Sequence, residues 1–386
     1  MAIEIKVRPE VLGPRLKGAR SLARLTQEAA AQKLGFARTT VVAIESGKRP
    51  VSSDELRAFA ELYAVPESEL LAAGTPSLDM ELKFRAHTNS ADVDSAVAHL
   101  LLNKLAAASV ELEKMLERPM LQPDLPIVSV SRSGPVDQQA EDAALAVRQR
   151  LGIGFGPIPD LIALVELDMG LRVFERGLPS KVSGAFAYDD EIGGFIVVNA
   201  IHPASRRRLT LAHELCHALL RRAGVVVHMT DDDFSDREEK FCDAFARAFL
   251  MPAMTVRKKA AELRDAAGQF SVRQLLAMAV YFHTSIEAMT RRLEGLGLLP
   301  KGTFDSLKAK GLGTQHLEEV RRELDEPEVA GRFTPRTLLL AAEAFEKGLL
   351  SEQQIARKLQ LDLGTVREVL EHVAPDGEGD ELELAI

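Results

Sequence analysis

Apolar positions recur at helical spacing along most of the chain and alternate at strand spacing in only a few places. Between residues 12 and 71, short amphipathic patterns alternate with tight breaks. Thr26 is placed to cap a helix that runs to Leu34, Gly35 breaks it, Arg38 to Glu45 forms the next, and Ser46-Gly47 ends that one. A long helical pattern from about residue 91 to 118 carries Leu100, Leu101, Leu105, Val110, Leu112 and Leu116. It predicts a spacer, a dimerisation helix that would make the chain a homodimer, or a helix packed on the next domain. Pro119, Pro123, Pro126 and Pro135 mark a linker, and residues 136–151 are helical again. Strand patterns are confined to 171–174, 183–188 and 194–199, enough for a small sheet. Two further pairs of short helices are expected within 272–299 and 351–369. The second pair looks like another helix-turn-helix, but acidic neighbours and an acidic tail (Asp376, Glu378, Asp380, Glu381, Glu383) predict protein contacts or regulation there.

An apolar helical stretch, residues 209–220, contains His213-Glu214-Leu215-Cys216-His217. On a helix His213 and His217 lie one turn apart and point the same way, so both imidazoles can reach one ion. Glu214 sits on the flank, where it can act as a general base toward a water at the metal. Ser205 is expected to cap this helix and Gly224, after Arg221-Arg222, to mark its end. A third ligand must come from another element. Ser235 and Glu238 have capping-box spacing, which occupies Glu238 at a helix start and leaves Glu239 as the carboxylate ligand. Glu238 is the rival if the cap does not form, and a surface helix with ordinary acidic residues is the bland alternative. Asp243, one turn beyond Glu239, is a candidate acceptor for the outer ring nitrogen of a ligand histidine. Phe241, Phe245, Ala248 and Phe249 would fill the core, and Pro252 ends the helix.

Three segments together resemble the ImmA/IrrE family of bacterial metallopeptidases: Val197-Val198-Asn199, Arg206 through His217, and Phe245-Ala246 with Leu250-Met251-Pro252. The resemblance covers roughly residues 135–300. It implies a zincin-like α+β domain holding Zn²⁺ (Mn²⁺ is the alternative) through His213, His217 and Glu239, with Glu214 as base. It also implies a protein substrate, a DNA-bound repressor cut in response to stress or a mobile element. Two positions depart from the family pattern: Cys216 replaces the usual glycine between the histidines, and Cys242 stands where alanine is common. Each follows a proposed ligand by three residues, so the pair reads either as small buried packing residues or as a redox switch.

The N-terminal pattern resembles the helix-turn-helix of Cro and the phage repressors, in Arg20, Leu25-Thr26-Gln27, Ala31, Leu34-Gly35 and Ile44-Glu45-Ser46-Gly47-Lys48-Arg49. By that resemblance the second helix enters the major groove of a double-stranded operator, with Arg38, Thr39 and Thr40 near base edges. Gln27, Lys48 and Arg49 would meet phosphate. Ala37 stands where a serine cap is usual, and Arg20 and Glu45 are expected to pair inside the module. Packing, or contacts with protein only, are the competing roles.

Composition narrows the rest. Apolar content of 46% and charged content of 27% are those of a globular chain of two or three domains. The first residues form no signal peptide, no run approaches a membrane span, and two cysteines make no disulfide framework, so a cytoplasmic protein without membrane contact is expected. A net charge of −9 argues against nucleic-acid binding over the whole surface, but residues 1–75 carry a small basic excess, eleven Lys/Arg against nine Asp/Glu. Asp231-Asp232-Asp233 reads as a solvated loop rather than a second metal site. His202, His228, His283, Tyr188 and Tyr281 are uncommitted candidates for stabilising an oxyanion.

The expected architecture is a mainly α multidomain chain. It has a helix-turn-helix at 1–75, a helical spacer and linker at 76–134, a metallopeptidase domain at 135–300 and a helical region at 301–386. The function it predicts is a DNA-binding regulator with a zinc-dependent endopeptidase domain. The alternative is a regulator whose metal domain senses a ligand or partner without cleaving anything.

Overall fold

The computed structural model describes residues 8–22, 25–63, 67–71, 93–119, 125–126, 128–189, 191–220, 224–229, 237–264, 270–323 and 334–373. By compactness the chain divides into two units, Met1–Arg85 and Ala86–Ile386.

Among the described residues the first unit's elements are helices: α1 (Pro9–Leu22), α2 (Gln27–Leu34), α3 (Arg38–Glu45), α4 (Ser53–Tyr63) and α5 (Glu67–Leu71). The Thr26 hydroxyl caps α2 by accepting from Ala29 N at 3.0 Å. Gly35 ends α2 in the left-handed region (φ 70°), which turns its N–H back onto the carbonyls of Ala31 and Gln32. Ala37 makes no side-chain cap at the start of α3. Leu12, Leu16, Ala30, Ile44, Leu56 and Phe59 bury their side chains together as this unit's core.

The second unit is built around a four-stranded mixed sheet of order β1-β3-β2-β4, with β1 (Arg172–Arg176), β2 (Val182–Asp189), β3 (Gly193–Asn199) and β4 (Gly224–Met229). β1 runs parallel to β3, and β2 runs antiparallel to both β3 and β4. Every residue of β1 and β3 is buried, so both faces of the sheet are covered. On one face Val173, Phe186, Ile196 and Val198 pack with Leu211 and Leu215 of α9 (Ala204–Leu219) and with the phenylalanines of α10 (Arg237–Leu250). On the other, Arg172 of β1 reaches Glu113 of α6 (Val93–Met115). Side chains alternate across a strand, which assigns successive residues to these two layers.

The helix α7 (Val136–Arg150) packs along α10. Arg148 fastens the pair: its buried guanidinium donates to the carbonyls of Gly154 (2.8 Å), Phe249 (2.6 Å) and Gly156. Between α7 and the sheet, α8 (Leu161–Ala163) continues into a π-turn at Leu164–Asp168. Beyond α10 follow α11 (Ala253–Leu263), α12 (Val272–Tyr281), α13 (Ile286–Gly295), α14 (Thr303–Ala309), α15 (Thr314–Glu323), α16 (Pro335–Glu346), α17 (Glu352–Lys358) and α18 (Leu363–Val373). Leu112 and Leu116, at the end of the long helix, share a core with Leu340, Ile355, Leu359, Val366 and Leu370 of the last three helices. Of the readings open for α6, packing within the unit is the one observed.

Two local expectations change. The cap of α9 is Pro203, in an extended conformation (φ −54°, ψ 147°), not Ser205, which lies within the first turn. Gly224 does not terminate that helix, whose C-cap is Leu220; it opens β4, a strand the apolar run Val225-Val226-Val227 did not suggest beside a helix stop. The proposed Ser235 cap and the Asp231-Asp232-Asp233 loop lie outside the described residues, as does the acidic tail. Among the described residues no helix is long and apolar enough to cross a membrane.

Candidate metal centre

Burial of α9 is nearly complete from Thr210 to Leu219, because its apolar faces meet both the sheet and α10. Three arginines hold the start of this helix. Arg207 pairs with Glu175 of β1 at 2.8 Å, Arg208 donates to the carbonyls of Ile158 and Pro159, and Arg206 reaches Ser183 Oγ at 3.3 Å. Asn199, at the end of β3, secures the opposite loop: its amide nitrogen donates to the carbonyls of Leu178, Pro179 and Val182, and its oxygen accepts from Leu178 N and Ile201 N. The sequence pattern marked Asn199 only as a strand end. A lone buried amide before a helix is the signal that points to such a staple.

From this scaffold His213 and His217 project one turn apart, with Nε2 atoms 3.2 Å from each other and ring planes at 64°. Glu239, in the first turn of α10, brings Oε2 to 3.3 Å from His213 Nε2 and 3.6 Å from His217 Nε2. Those three atoms form a small triangle on two rigid helices, and they are the group among the described residues arranged to hold a cation. The donor set fits zinc in chemistry and size. A tetrahedral centre with bonds of about 2.0–2.1 Å has ligand–ligand edges of about 3.3–3.4 Å, and two imidazoles with one carboxylate are a familiar open three-ligand set.

The charges agree with a site built for a cation. Burial works to raise Glu239, but hydrogen bonds and charge from both histidines outweigh it and hold the carboxyl below its ordinary range. Burial lowers His213, and the neighbouring His217 lowers it further against the pull of Glu239. His217 moves the other way: burial opposes its charge, yet Cys242, Glu239 and Glu214 together raise it well above its ordinary value.

Glu214 is fully buried, and its carboxylate lies toward β2 at Gly184. A mid-strand glycine is the sequence signal for such a close approach, although the alternating pattern of 183–188 hid it. Asp243 accepts from Arg247 one turn along α10, and its charge also acts on His213. The outer nitrogen of His217 instead faces Cys242 Sγ at 3.7 Å. Cys216 and Cys242 are both fully buried free thiols, and burial pushes both up in pKa. Tyr188 stacks on Phe186, Tyr281 lies under the Lys259 ammonium at 5.0 Å, His202 Nε2 is 3.3 Å from Ser180 O, and His283 takes the left-handed turn after α12.

In the first unit, Arg20 and Glu45 form a buried pair at 2.5 Å, and Gln27 adds its amide to Glu45 at 2.8 Å. Gln27 is therefore occupied by the fold, and Arg49 is engaged with Glu55 at 2.8 Å. Arg38, Thr39 and Lys48 are exposed and Thr40 is half-buried, all in or just after α3.

Comparison with protein families gives two matches. Residues 167–294 match the family model of the IrrE N-terminal-like peptidase domain, and residues 11–73 match that of a helix-turn-helix domain. The first spans the sheet, α9, α10 and the helices up to α13; the second spans the first unit from α1 onward. No curated protein matches the chain.

Proposed function

Starting from a chain that joins a helix-turn-helix domain to an IrrE N-terminal-like peptidase domain, we propose a DNA-binding regulator that is also a zinc-dependent endopeptidase. The observation that carries the reading is the convergence of His213, His217 and Glu239 beside a fully buried Glu214. His213, His217 and Glu239 would hold the cation. Zinc bound there supplies Lewis-acid polarisation of a carbonyl oxygen and of a water. Glu214 removes the proton of the attacking water and hands it to the departing amine, so one carboxylate serves as base and then acid. Burial of His213, His217 and Glu214 strengthens these electrostatic interactions. Stress or a mobile element would be the occasion, and a DNA-bound repressor the protein cleaved, with the helix-turn-helix bringing the peptidase to an operator.

Metal content is the first test, on the purified wild-type chain beside His217→Ala. About one zinc per chain, lost in the variant, is expected for a three-ligand site. Absence of zinc from both after reconstitution would overturn the reading. Glu214→Gln then separates catalysis from sensing. A peptidase loses cleavage by about 10²-fold or more while keeping its zinc and its DNA binding. A regulator that only senses a partner keeps its function in that variant.

A further inference from the structure

His217 uses its two ring nitrogens on different neighbours. Nε2 faces Glu239 and His213, whereas Nδ1 faces Cys242 Sγ at 3.7 Å. The ring and the thiol are both fully buried, so no solvent exposure accompanies this contact. Cys242 neighbours Cys216, which lies on α9 one residue before His217. Asp243, next to Cys242 in sequence, accepts from Arg247.

We propose that Cys242 is a positioning residue for the metal centre, its sulfur accepting the Nδ1–H of His217 so that the Nε2 lone pair is presented to the cation. The inference rests on the metal reading above. A neutral imidazole carries one proton, and the nitrogen whose partner accepts it is the one that keeps it. Ligand histidines nearly always donate this outer N–H to a carboxylate, a carbonyl or water. Here the group lying against it is a thiol sulfur, a weak acceptor but one fixed on the same helix as Glu239. Cys242 and Glu239 are three residues apart on α10, so one helix sets both the ligand and the group that orients a second ligand.

Packing alone and positioning make opposite orderings of two substitutions. In an apolar pocket alanine is tolerated better than serine, since a buried hydroxyl must find a partner. For the His217 contact serine is better, because it retains an acceptor and alanine removes it. The experiment measures zinc affinity of the full chain by competition with a chelating indicator, for wild type, Cys242→Ala and Cys242→Ser, with denaturant stability of the zinc-free proteins alongside. The expected result is a loss of about 10–100-fold for Cys242→Ala and of about threefold or less for Cys242→Ser, although the serine variant is the less stable zinc-free protein. Zinc binding by Cys242→Ala within about twofold of wild type, or weaker binding by serine than by alanine, overturns the proposal. Should neither variant fold, the ring-nitrogen resonances of His217 in zinc-loaded wild type decide. A protonated Nδ1 supports the assignment and a metal-bound Nδ1 refutes it. A wild-type chain that takes up no zinc removes the centre itself, an outcome read from the wild type alone and distinct from any difference between variants.

Discussion

Gly184 lies where β2 passes closest to α9. A β-carbon there would lie 2.7 Å from Thr210 Cγ2, 3.0 Å from the Val197 carbonyl oxygen and 3.1 Å from Glu214 Oε1. The Val197 carbonyl is held in the sheet, so Thr210 and Glu214 are the side chains that must shift. Gly184→Ala is therefore expected to cost about 1–3 kcal/mol in stability and to displace the base. A misplacement of that kind lowers peptide cleavage by about 10²-fold while zinc content stays at the wild-type level. Cleavage and metal content of the same preparation check this; unchanged cleavage would show that the base does not depend on the open position. At this scale the sequence exposed His213, Glu214 and His217 through their spacing. It concealed Gly184, Asn199 and the Cys242 contact, because each acts on a residue far away in the chain or on another element.

Among the elements, the pairing of α7 with α10 fixes where Glu239 stands. Arg148 spans the two by donating to three carbonyls, and burial lowers its pKa to about 10, still above neutrality. Arg148→Ala leaves those acceptors unsatisfied and is expected to destabilise the second unit by about 3 kcal/mol or more, measured by urea unfolding. On the other face of the sheet, Arg172 and Arg336 share the buried Glu113, while Glu166 accepts from Val173 N and Arg336 N. Burial raises Glu166 from 4.5 to about 7, against the lowering effect of those bonds. A carboxyl with a raised folded-state pKa favours the folded state fully below about pH 4.5, and that contribution is lost as pH rises through 7. Glu166→Gln should flatten the fall in stability between pH 5 and 8, relative to wild type, in denaturant titrations across about that range. An identical slope in both proteins would place the pH dependence elsewhere. The sequence placed α16, which brings Arg336 to this cluster, only within a generally helical region, and isolated charges in a sequence carry no burial.

The whole molecule joins two units whose interiors rest on different principles. The first is a small helical core locked by Arg20 and Glu45; the second is a sheet covered on both faces. Removing one partner of a buried ion pair strands the other, so Glu45→Ala should cost the first unit about 3–5 kcal/mol and abolish operator binding. Zinc stoichiometry should remain that of the wild type, which metal analysis of the same variant checks. With the first unit intact, Lys48→Ala should lower the salt dependence of DNA binding by about one unit of log–log slope and leave sequence preference unchanged, as expected of a phosphate contact. By itself the sequence determined the helix-turn-helix pattern, the small sheet's three main strands and the metal-binding motif, because periodicity, glycine breaks and one-turn spacing are local properties of the chain. Only the tertiary structure decided that Glu239 joins His213 and His217, that a thiol meets the outer nitrogen of His217, and that the long helix packs within its own unit. Those outcomes depend on which elements lie against one another, and packing of distant segments follows from the sum of burial and charge rather than from any short run of residues.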